Sequence, residues 1–349
     1  MSPRARQGCG HYAFPGGALA RSAARQPKAL RERGAAILMA MLTVTLVASL
    51  AAAALWQQWR SLEVEAAQRA RVQSAWILVG ALDWARLILR EDARTGGPDH
   101  LAEPWAVPLE EARLSVFFAA DSNAAVPADD VQQSFISGQI IDLQSRLNVT
   151  NLIEGGKPSP PDVRQFAKLF ELLSLPDAEL GRLTENLRFA MDTSTDNRSG
   201  GLAPLVPQRV AQLVWLGVSE SSVAALGPFV TVLPQRSKTN LNTAPAEVVF
   251  ATLDSLDMAR ARQFVTARSL SQLRTLSDAA QLLGLRVEDI ADAQFGVKTD
   301  FFEVRGRLRL DQVVVLERSM VQRTGTEVKT LWRERFASTG DDKASLQSP

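Results

Sequence analysis

The chain has 349 residues, 46% of them apolar, which is enough for two modest domains or one large one. Residues 1–34 hold seven basic side chains and one acidic one, and the remaining body has 32 basic and 37 acidic residues, a net charge of −5. A mildly acidic body disfavours non-specific binding of nucleic acid, which needs a basic surface. Cys9 and His11 lie in the basic leader, and His100 is the one histidine of the body. This composition excludes a His/Cys metal site in the body and offers poor material for a nucleophile–base pair.

Residues 35–56 form a run of 22 residues without a charge, which is long enough to cross a bilayer as a helix. The run is too long for the apolar part of a cleaved signal peptide, which has about 7–15 residues. The basic leader, residues 1–34, is expected to stay in the cytoplasm while the body is exported. The absence of turn signals predicts that the membrane helix continues as an amphipathic helix over residues 57–92. Its predicted apolar face holds Val72, Ala75, Trp76, Val79 and Leu82.

The basic leader that ends in Gly34, followed by an apolar helix that continues into an amphipathic one, resembles the N-terminus of type IV pilins and of type II secretion pseudopilins. This resemblance implies that a prepilin peptidase cuts between Gly34 and Ala35, removes residues 1–34 and methylates the new N-terminus, so that the apolar helix is kept. Most of these proteins carry a glutamate at the fifth position of the processed chain, where Met39 stands here. In this respect the chain is similar to the K-type minor pseudopilins (the general secretion pathway protein K family), which are placed at the fibre tip.

Residues 93–147 are predicted to form the first part of a pilin-like β-domain. Residues 93–112 are rich in glycine and proline and are predicted to be a loop. The stretches RLSVFFAAD (113–121) and SFISGQIIDL (134–143) are predicted strands, because they are rich in β-branched and aromatic residues. The phrase that follows resembles a K-type segment, and we predict capping and turn hydrogen bonds for its polar residues rather than catalysis. The matching residues are Asp142, Gln144, Arg146, Asn148 and Leu152.

Residues 148–296 are predicted to form a helical domain, because short amphipathic segments alternate there with Pro, Gly, Ser and Asp. SRLNVTNLI and SKTNLNTAPAEVV echo each other, which indicates two related helical units. Residues 237–268 also resemble a helix-hairpin-helix module, whose glycine-bearing hairpin contacts DNA phosphates. The hairpin here has no glycine and carries Asp257, so we predict a helix pair for packing or protein contact, with no nucleic-acid partner.

Residues 297–337 alternate apolar and polar side chains at a period of two, which predicts half-buried antiparallel strands. Residues 338–349 are polar and are predicted to be a disordered tail. Strands therefore precede and follow the helical segment. The predicted fold class is α+β, with a pilin-like long N-terminal helix, an antiparallel β-sheet and a large all-α domain inserted into the sheet.

The loop AMDTSTDNRSGG (190–201) brings together four oxygen-bearing residues of the kind that bind Ca²⁺, namely Asp192, Thr195, Asp196 and Asn197. K-type pseudopilins can bind calcium in the corresponding loop, but the paired acids and tyrosines that continue the family's pattern are missing here. The spacing is not that of an EF-hand. A solvated loop without a metal stays open as the alternative, and no cofactor is expected to be required.

The chain contains no P-loop, G-x-S-x-G or HExxH motif, so we expect that it is not an enzyme.

The resemblance to K-type pseudopilins covers nearly all of residues 31–336. It implies a minor pseudopilin at the tip of the type II secretion pseudopilus, which spans the bacterial inner membrane once and has its C-terminal body in the periplasm. The implied partners are other minor pseudopilins, the prepilin peptidase, and the secretin or secreted cargo. Two alternatives stay open: a minor pilin of a type IV or DNA-uptake pilus, and an unprocessed single-pass membrane-anchored binding protein. Cleavage at Gly34 separates the second alternative from the rest.

Overall fold

The structure is a computed structural model that describes residues 32–114, 134–192, 203–290, 294–310 and 313–339. The chain divides into two compact units, Met1–Ala67 and Gln68–Pro349. The first unit contains the beginning of helix α1 (Glu32–Thr95), which is one helix throughout. Among the described residues, α1 is the one helix that is long and apolar enough to cross a membrane, with a mean hydropathy of 2.2 in its most apolar part.

The part of α1 in the first unit exposes its apolar side chains, and hydroxyl groups there form hydrogen bonds within the helix. Ile37, Leu42 and Leu50 are each about 60–66% exposed. The hydroxyls of Thr43 and Ser49 donate to backbone carbonyls three residues earlier, each at 2.9 Å. Such internal hydrogen bonds remove the main cost of placing a hydroxyl in lipid. This part of α1 is therefore suited to an apolar surrounding.

The second part of α1 carries two apolar stripes on opposite sides. The buried stripe packs on the β-sheet and consists of Leu78, Leu82, Ala85 and Leu89. The exposed stripe consists of Val72, Trp76, Trp84 and Leu87. The single predicted face is therefore wrong, since it combined the exposed Val72 and Trp76 with the buried Leu82. Successive residues turn by about 100° around a helix, so Trp76 and Leu82, six positions apart, point about 120° apart, and the sheet covers the side of Leu82.

The sheet of the second unit has five antiparallel strands in the order β1-β2-β9-β10-β11. The strands are β1 (Leu109–Arg113), β2 (Ser134–Asp142), β9 (Phe301–Leu310), β10 (Val313–Thr324) and β11 (Glu327–Thr339). Alternate residues of β9 face α1, and the rest face the other side of the sheet. Phe302 packs under Leu89 and against Trp105, whose ring lies 5.2 Å away in an edge-on arrangement.

Two strand boundaries differ from the predictions. All of β1 except Arg113 lies in the segment 93–112 that was predicted to be a loop, and most of the predicted strand 113–121 lies outside the described residues. β1 is a short edge strand with exposed Glu110 and Glu111, and such charges protect a sheet edge but hide the alternation that signals a strand. β11 extends to Thr339, so Ser338, predicted to begin the tail, is paired with Val314.

The segment between β2 and β9 forms the insertion, which has its own hydrophobic core around residues such as Phe166, Leu183, Val249 and Phe264. Its α-helices are α2 (Pro160–Leu172), α3 (Asp177–Ala190), α4 (Glu220–Leu226), α5 (Ala246–Thr252), α6 (Met258–Leu270) and α7 (Leu276–Leu283). The insertion is not purely helical, since its described residues also form six two-residue strands. These are β3 (Leu147–Asn148), β4 (Ile153–Glu154), β5 (Lys157–Pro158), β6 (Val230–Thr231), β7 (Thr239–Asn240) and β8 (Phe295–Gly296).

The two-residue strands give the insertion an internal repeat. β3 pairs with β6 and β7 pairs with β8, both in parallel, so each pair closes one group of helices. Asn148 ends β3 and its side chain accepts from the N–H of Thr150 at 3.1 Å. Asn240 ends β7 and accepts in the same way from the N–H of Asn242 at 3.0 Å. The echo between SRLN and SKTN thus corresponds to two equivalent positions in the structure.

Candidate functional site

The residues of the predicted processing site lie near the start of α1 and are exposed. A side chain at Gly34 would meet no atom within 4 Å. Ala35 follows it in the same exposed helix, and Met39, one turn further, is 68% exposed. Both residues of the Gly34–Ala35 bond are therefore exposed among the described residues, and its cleavage and methylation stay a prediction.

The exposed stripe of α1 is the second candidate surface, and we call it the apolar stripe (Val72, Trp76, Trp84 and Leu87). Its side chains are 49–71% exposed, while the buried stripe on the other side of the helix holds α1 to the sheet. A row of large apolar side chains in water is unfavourable, and such rows commonly mark a contact with another protein. Spacings of three and four residues suit packing against a second helix.

The third candidate is a buried polar junction where the insertion meets the sheet. Asp142 ends β2, and its Oδ1 accepts from the N–H of Gln144 at 2.6 Å. Its Oδ2 accepts from the hydroxyls of Thr243 at 2.5 Å and Thr299 at 2.7 Å, and from Nδ2 of Asn240 at 3.0 Å. Burial raises the pKa of Asp142 to about 6, although the four hydrogen bonds work in the opposite direction.

An ionic network lies beside this junction and joins the end of α1 to the sheet. Arg323 of β10 donates to Asp92 at 2.6 Å and also to Asp99. Burial raises the pKa of both carboxyl groups against the opposing effect of Arg323, and Glu103 adds to the shift at Asp92.

Carboxylate oxygens of Asp92, Asp99 and Glu103 lie within 4.8 Å of one another, an arrangement that could hold a cation. However, Arg323 already contacts two of them, and Glu103 accepts from the indole N–H of Trp105 at 2.7 Å. The network is therefore a structural clamp.

The residues of the K-type phrase 138–153 form hydrogen bonds and contacts that hold the fold together, with one exception. Gln144 donates to the carbonyl of Lys238 and accepts from the N–H of Asp300, at 2.8 and 2.7 Å. Asn148 donates to the carbonyl of Gln235 at 2.8 Å, and Leu152 is fully buried in the core of the insertion. Together with Asp142, they cap turns and join distant segments.

The exception is Arg146, whose guanidinium points into a groove between the sheet and the insertion. Its Nη1 lies 3.4 Å from the carbonyl of Gly227, a long hydrogen bond. No local sequence signal separates Arg146 from the other polar residues of the phrase.

The segment that resembles a helix-hairpin-helix module is used for packing. Asp257 caps the N-terminus of α6, where its carboxylate accepts from the N–H of Arg260 at 2.8 Å. Arg268, near the end of the same helix, is buried and donates to the carbonyls of Leu241 and Ala244. Asp257 and Arg268 are thus engaged in hydrogen bonds within the fold.

The predicted calcium loop lies largely outside the described residues. Asp192 follows α3 and is exposed, whereas Thr195, Asp196 and Asn197 fall in the segment 193–202, which is outside the description. The arrangement of these four residues thus lies outside the described part of the chain, and calcium binding there stays a prediction.

These features define a class of protein: a membrane-anchored, pilin-like protein in which one long helix packs on an antiparallel sheet and a helical domain is inserted between two strands of that sheet. Two family models, both described as type II secretion system (T2SS), protein K, match residues 145–235 and 239–298. These two ranges correspond to the two repeated parts of the insertion. These matches support the assignment of the chain as a type II secretion system protein K, and with it as a minor pseudopilin.

Curated relatives and a solved structure agree with this assignment. The type II secretion system protein K of Pseudomonas aeruginosa is 25% identical over 340 residues, covering 89% of this chain and 97% of that protein. The type II secretion system protein K of Pectobacterium carotovorum is 24% identical over 335 residues, covering 87% and 96%. The fold is similar to a chain in the crystal structure of the GspK-GspI-GspJ complex from the enterotoxigenic Escherichia coli type 2 secretion system. That match has a TM-score of 0.54 and 19% identity, and it covers 79% of this chain and 99% of that chain.

Proposed function

We propose that this chain is a non-enzymatic subunit at the tip of the type II secretion pseudopilus and takes part in protein export across the outer membrane. The observation that carries the proposal is the exposed apolar run of α1 that begins directly after Gly34, in a helix whose later part packs on an antiparallel sheet. In this proposal residues 35–56 span the inner membrane and the C-terminal body lies in the periplasm. The prepilin peptidase cuts after Gly34, and the helix is later drawn from the membrane into a short fibre.

The position at the tip is supported by Met39. In related fibres the glutamate at this position is thought to pair with the N-terminal amine of an adjoining subunit, because an unpaired carboxylate in lipid is costly. A subunit with methionine there has no carboxylate to pair. It can therefore occupy an end of the fibre, where no subunit lies above it. The insertion adds a bulky domain that either limits fibre growth or meets the secretin and the secreted cargo.

The partners that we propose are two other minor pseudopilins, which dock their own helices along α1. The apolar stripe supplies the surface, and the fold neighbour was crystallised in a complex whose name includes GspI and GspJ. Trp76 is the most exposed member of the stripe, at 71%, so it is the best residue to change. A catalytic role is not proposed, since the buried polar groups described above are engaged in hydrogen bonds within the fold.

The proposed role is tested by complementation of a deletion strain. Wild-type chain should restore the export of type II substrates to the medium, and Trp76→Glu should lower it, because a charge interrupts the apolar stripe. Trp215→Glu is the matched control, since Trp215 is 45% exposed on the insertion. Co-purification of the two other minor pseudopilins should fall with Trp76→Glu and stay with Trp215→Glu. Full export by a strain that lacks the chain would contradict the proposed role.

We also propose that the loop after α3 binds Ca²⁺ through Asp192, Thr195, Asp196 and Asn197. The proposal rests on the chemistry of the donors, which are hard oxygen ligands close together in the sequence. The calcium site is not needed for the role in secretion proposed above. Its test is given in the Discussion.

A further inference from the structure

A groove lies between the sheet and the insertion, and we call it the sheet–insertion groove. It is lined by Arg146, Gly227, Glu303, Arg318, Trp332 and Phe336. The groove has a volume of about 540 Å³, which is room for several side chains. Its floor includes residues of β9 and β10 that alternate with those facing α1, so it lies on the side of the sheet opposite the helix. The groove is therefore separate from the apolar stripe.

Arg146 has no acidic partner in this groove. Among the described residues, no carboxylate oxygen lies within 4.0 Å of its guanidinium, and its one hydrogen bond is the 3.4 Å contact to the carbonyl of Gly227. A guanidinium has five N–H donors, so most of its donors are left for water or for a ligand. By contrast, Arg209 at the rim of the groove is paired with Glu334 at 2.7 Å.

The charges around Arg146 do not balance. Arg305 and Arg318 both donate to the same carboxylate, that of Glu303, and the two bonds from Arg318 are 3.0 and 3.1 Å long. Burial acts to raise the pKa of Glu303, but the two arginines outweigh it and the pKa is lowered, so this carboxyl group is ionised. Glu303 is thus already engaged by two guanidinium groups, and Arg146 forms no ion pair with it.

The effect on Arg146 follows from this imbalance. Burial lowers the pKa of Arg146, the charges of Glu303 and Asp142 oppose that shift, and the charges of Arg305 and Arg318 add to it. A second carboxylate placed in the groove would relieve the repulsion and would meet free N–H donors. The free N–H donors of Arg146 and the positive charge around it therefore both indicate a carboxylate ligand.

The walls of the groove indicate a peptide rather than a small anion alone. Val230, Met320 and Trp332 provide apolar surface, and Arg209 stacks over the ring of Trp332 at 5.0 Å. β11, which contributes Trp332 and Phe336, is the last strand of the sheet. Among the described residues, one side of its backbone is therefore unpaired within the sheet and can hydrogen-bond to an extended chain.

We propose that the sheet–insertion groove binds an extended acidic segment of a partner protein, with one Asp or Glu side chain of that segment paired with Arg146. Arg146 and Arg318 bind the carboxylate from the floor, and apolar neighbours of the acidic residue pack on Trp332 and Phe336. This proposal goes beyond the role in secretion given above, and its failure would leave that role unchanged.

The test uses the full chain in detergent and two fluorescein-labelled peptides, acetyl-Thr-Glu-Val-Glu-Thr and acetyl-Thr-Gln-Val-Gln-Thr, with binding followed by anisotropy. A hydrogen bond between charged groups is lost in the second peptide, so we expect it to bind roughly ten- to hundredfold more weakly. Arg146→Gln should weaken the acidic peptide by a similar factor. Arg164→Gln is the matched control, because Arg164 lies on α2 and pairs with Asp254 in exposed surface.

A second variant covers the case in which Arg146→Gln disturbs folding. Ala224 lies on α4 and lines the groove, so Ala224→Trp should block the groove without a change of charge. We expect this variant to bind the acidic peptide at least tenfold more weakly. Equal binding of the two peptides, or unchanged binding after both substitutions, would overturn the proposal. Displacement of the peptide by an equal concentration of glutarate would overturn its peptide part, since a free dicarboxylate lacks the strand contacts.

Discussion

Nδ2 of Asn240 donates a 3.0 Å hydrogen bond to Oδ2 of Asp142, and this contact joins the second repeat of the insertion to the end of β2. The same amide group also donates to the carbonyl of Asp99 and to the hydroxyl of Thr299, at 3.1 and 3.0 Å. Asn240 is fully buried. One side chain thus ties together three segments that are far apart in the sequence, and it holds the insertion on the sheet.

The first prediction follows from this contact. Asn240→Ala should lower the free energy of unfolding by about 2–4 kcal/mol, because it removes the donor to the buried carbonyl of Asp99, one of the three donors to Oδ2 of Asp142, and the acceptor for the N–H of Asn242. Asn186→Ala is the control, since Asn186 is half-buried and donates to the carbonyl of Leu216 at 3.0 Å. We expect the control to cost about 1 kcal/mol. Chemical denaturation of the detergent-solubilised protein measures both values, and equal costs would contradict the role of Asn240.

The second prediction concerns pH. The pKa of Asp142 is raised from 3.8 to about 6 in the folded protein, so its folded form binds the proton more tightly than its unfolded form. The contribution of Asp142 to stability is therefore complete below pH 3.8 and is lost as the pH rises through 6. The loss amounts to about 3 kcal/mol at most, since one pKa unit corresponds to about 1.4 kcal/mol.

Asp142→Asn isolates this effect, because asparagine cannot ionise. Other carboxyl groups also titrate, so the quantity to measure is the difference in unfolding free energy between wild type and Asp142→Asn at pH 4, 5, 6 and 7. The unfolding free energy of the wild type should fall relative to that of the variant as the pH rises. A difference that stays constant across this range would show that the pKa of Asp142 is not raised.

The third prediction concerns two glycines that face each other in β2 and β9 under α1. A Cβ atom at Gly138 would lie 2.7 Å from the backbone carbonyl oxygen of Arg305, whereas a Cβ at Gly306 would lie 3.2 Å from the side chain of Leu78. Backbone in a central strand cannot move aside as easily as a leucine tip. Gly138→Ala should therefore cost about 2 kcal/mol or more, and Gly306→Ala should cost less.

Gly181→Ala serves as the control for this pair. Gly181 lies inside α3, and an added Cβ would meet no atom within 4 Å. Alanine is favoured over glycine in a helix interior by about 0.5–1 kcal/mol, so this variant should be more stable than wild type. Thermal unfolding ranks the three variants, and a Gly138→Ala protein as stable as wild type would contradict the close approach of β2 to β9.

The fourth prediction tests calcium binding by the loop after α3. If Asp192 and Asp196 are ligands, millimolar CaCl₂ should raise the unfolding temperature of the wild type, because a ligand that binds the folded state alone stabilises it. Asp196→Asn should remove most of that rise, and Asp289→Asn, a change of an exposed carboxylate elsewhere in the insertion, should keep it. An identical rise with MgCl₂, or none with CaCl₂, would contradict a calcium site.

The sequence was sufficient where a pattern is local. The uncharged run after Gly34 predicts the apolar part of α1, and the period-two alternation of residues 300–336 predicts β9, β10 and β11, because burial on one side fixes every second residue. The sequence was insufficient where a feature depends on distant partners. Arg323 and Asp92 are 231 residues apart, and neither is distinguished locally from an exposed charge. The side of α1 that packs on the sheet was also hidden, since both sides are apolar.

The measurement that tests the central claim most directly is the intact mass and N-terminal sequence of the protein extracted from membranes, with and without an active prepilin peptidase. The account predicts a chain that begins at N-methylated Ala35 when the peptidase is active, and an uncut chain when it is not. A Gly34→Leu variant should remain uncut in both strains. A chain that still carries Cys9 in the presence of the active peptidase would contradict the account and would favour an unprocessed membrane-anchored binding protein.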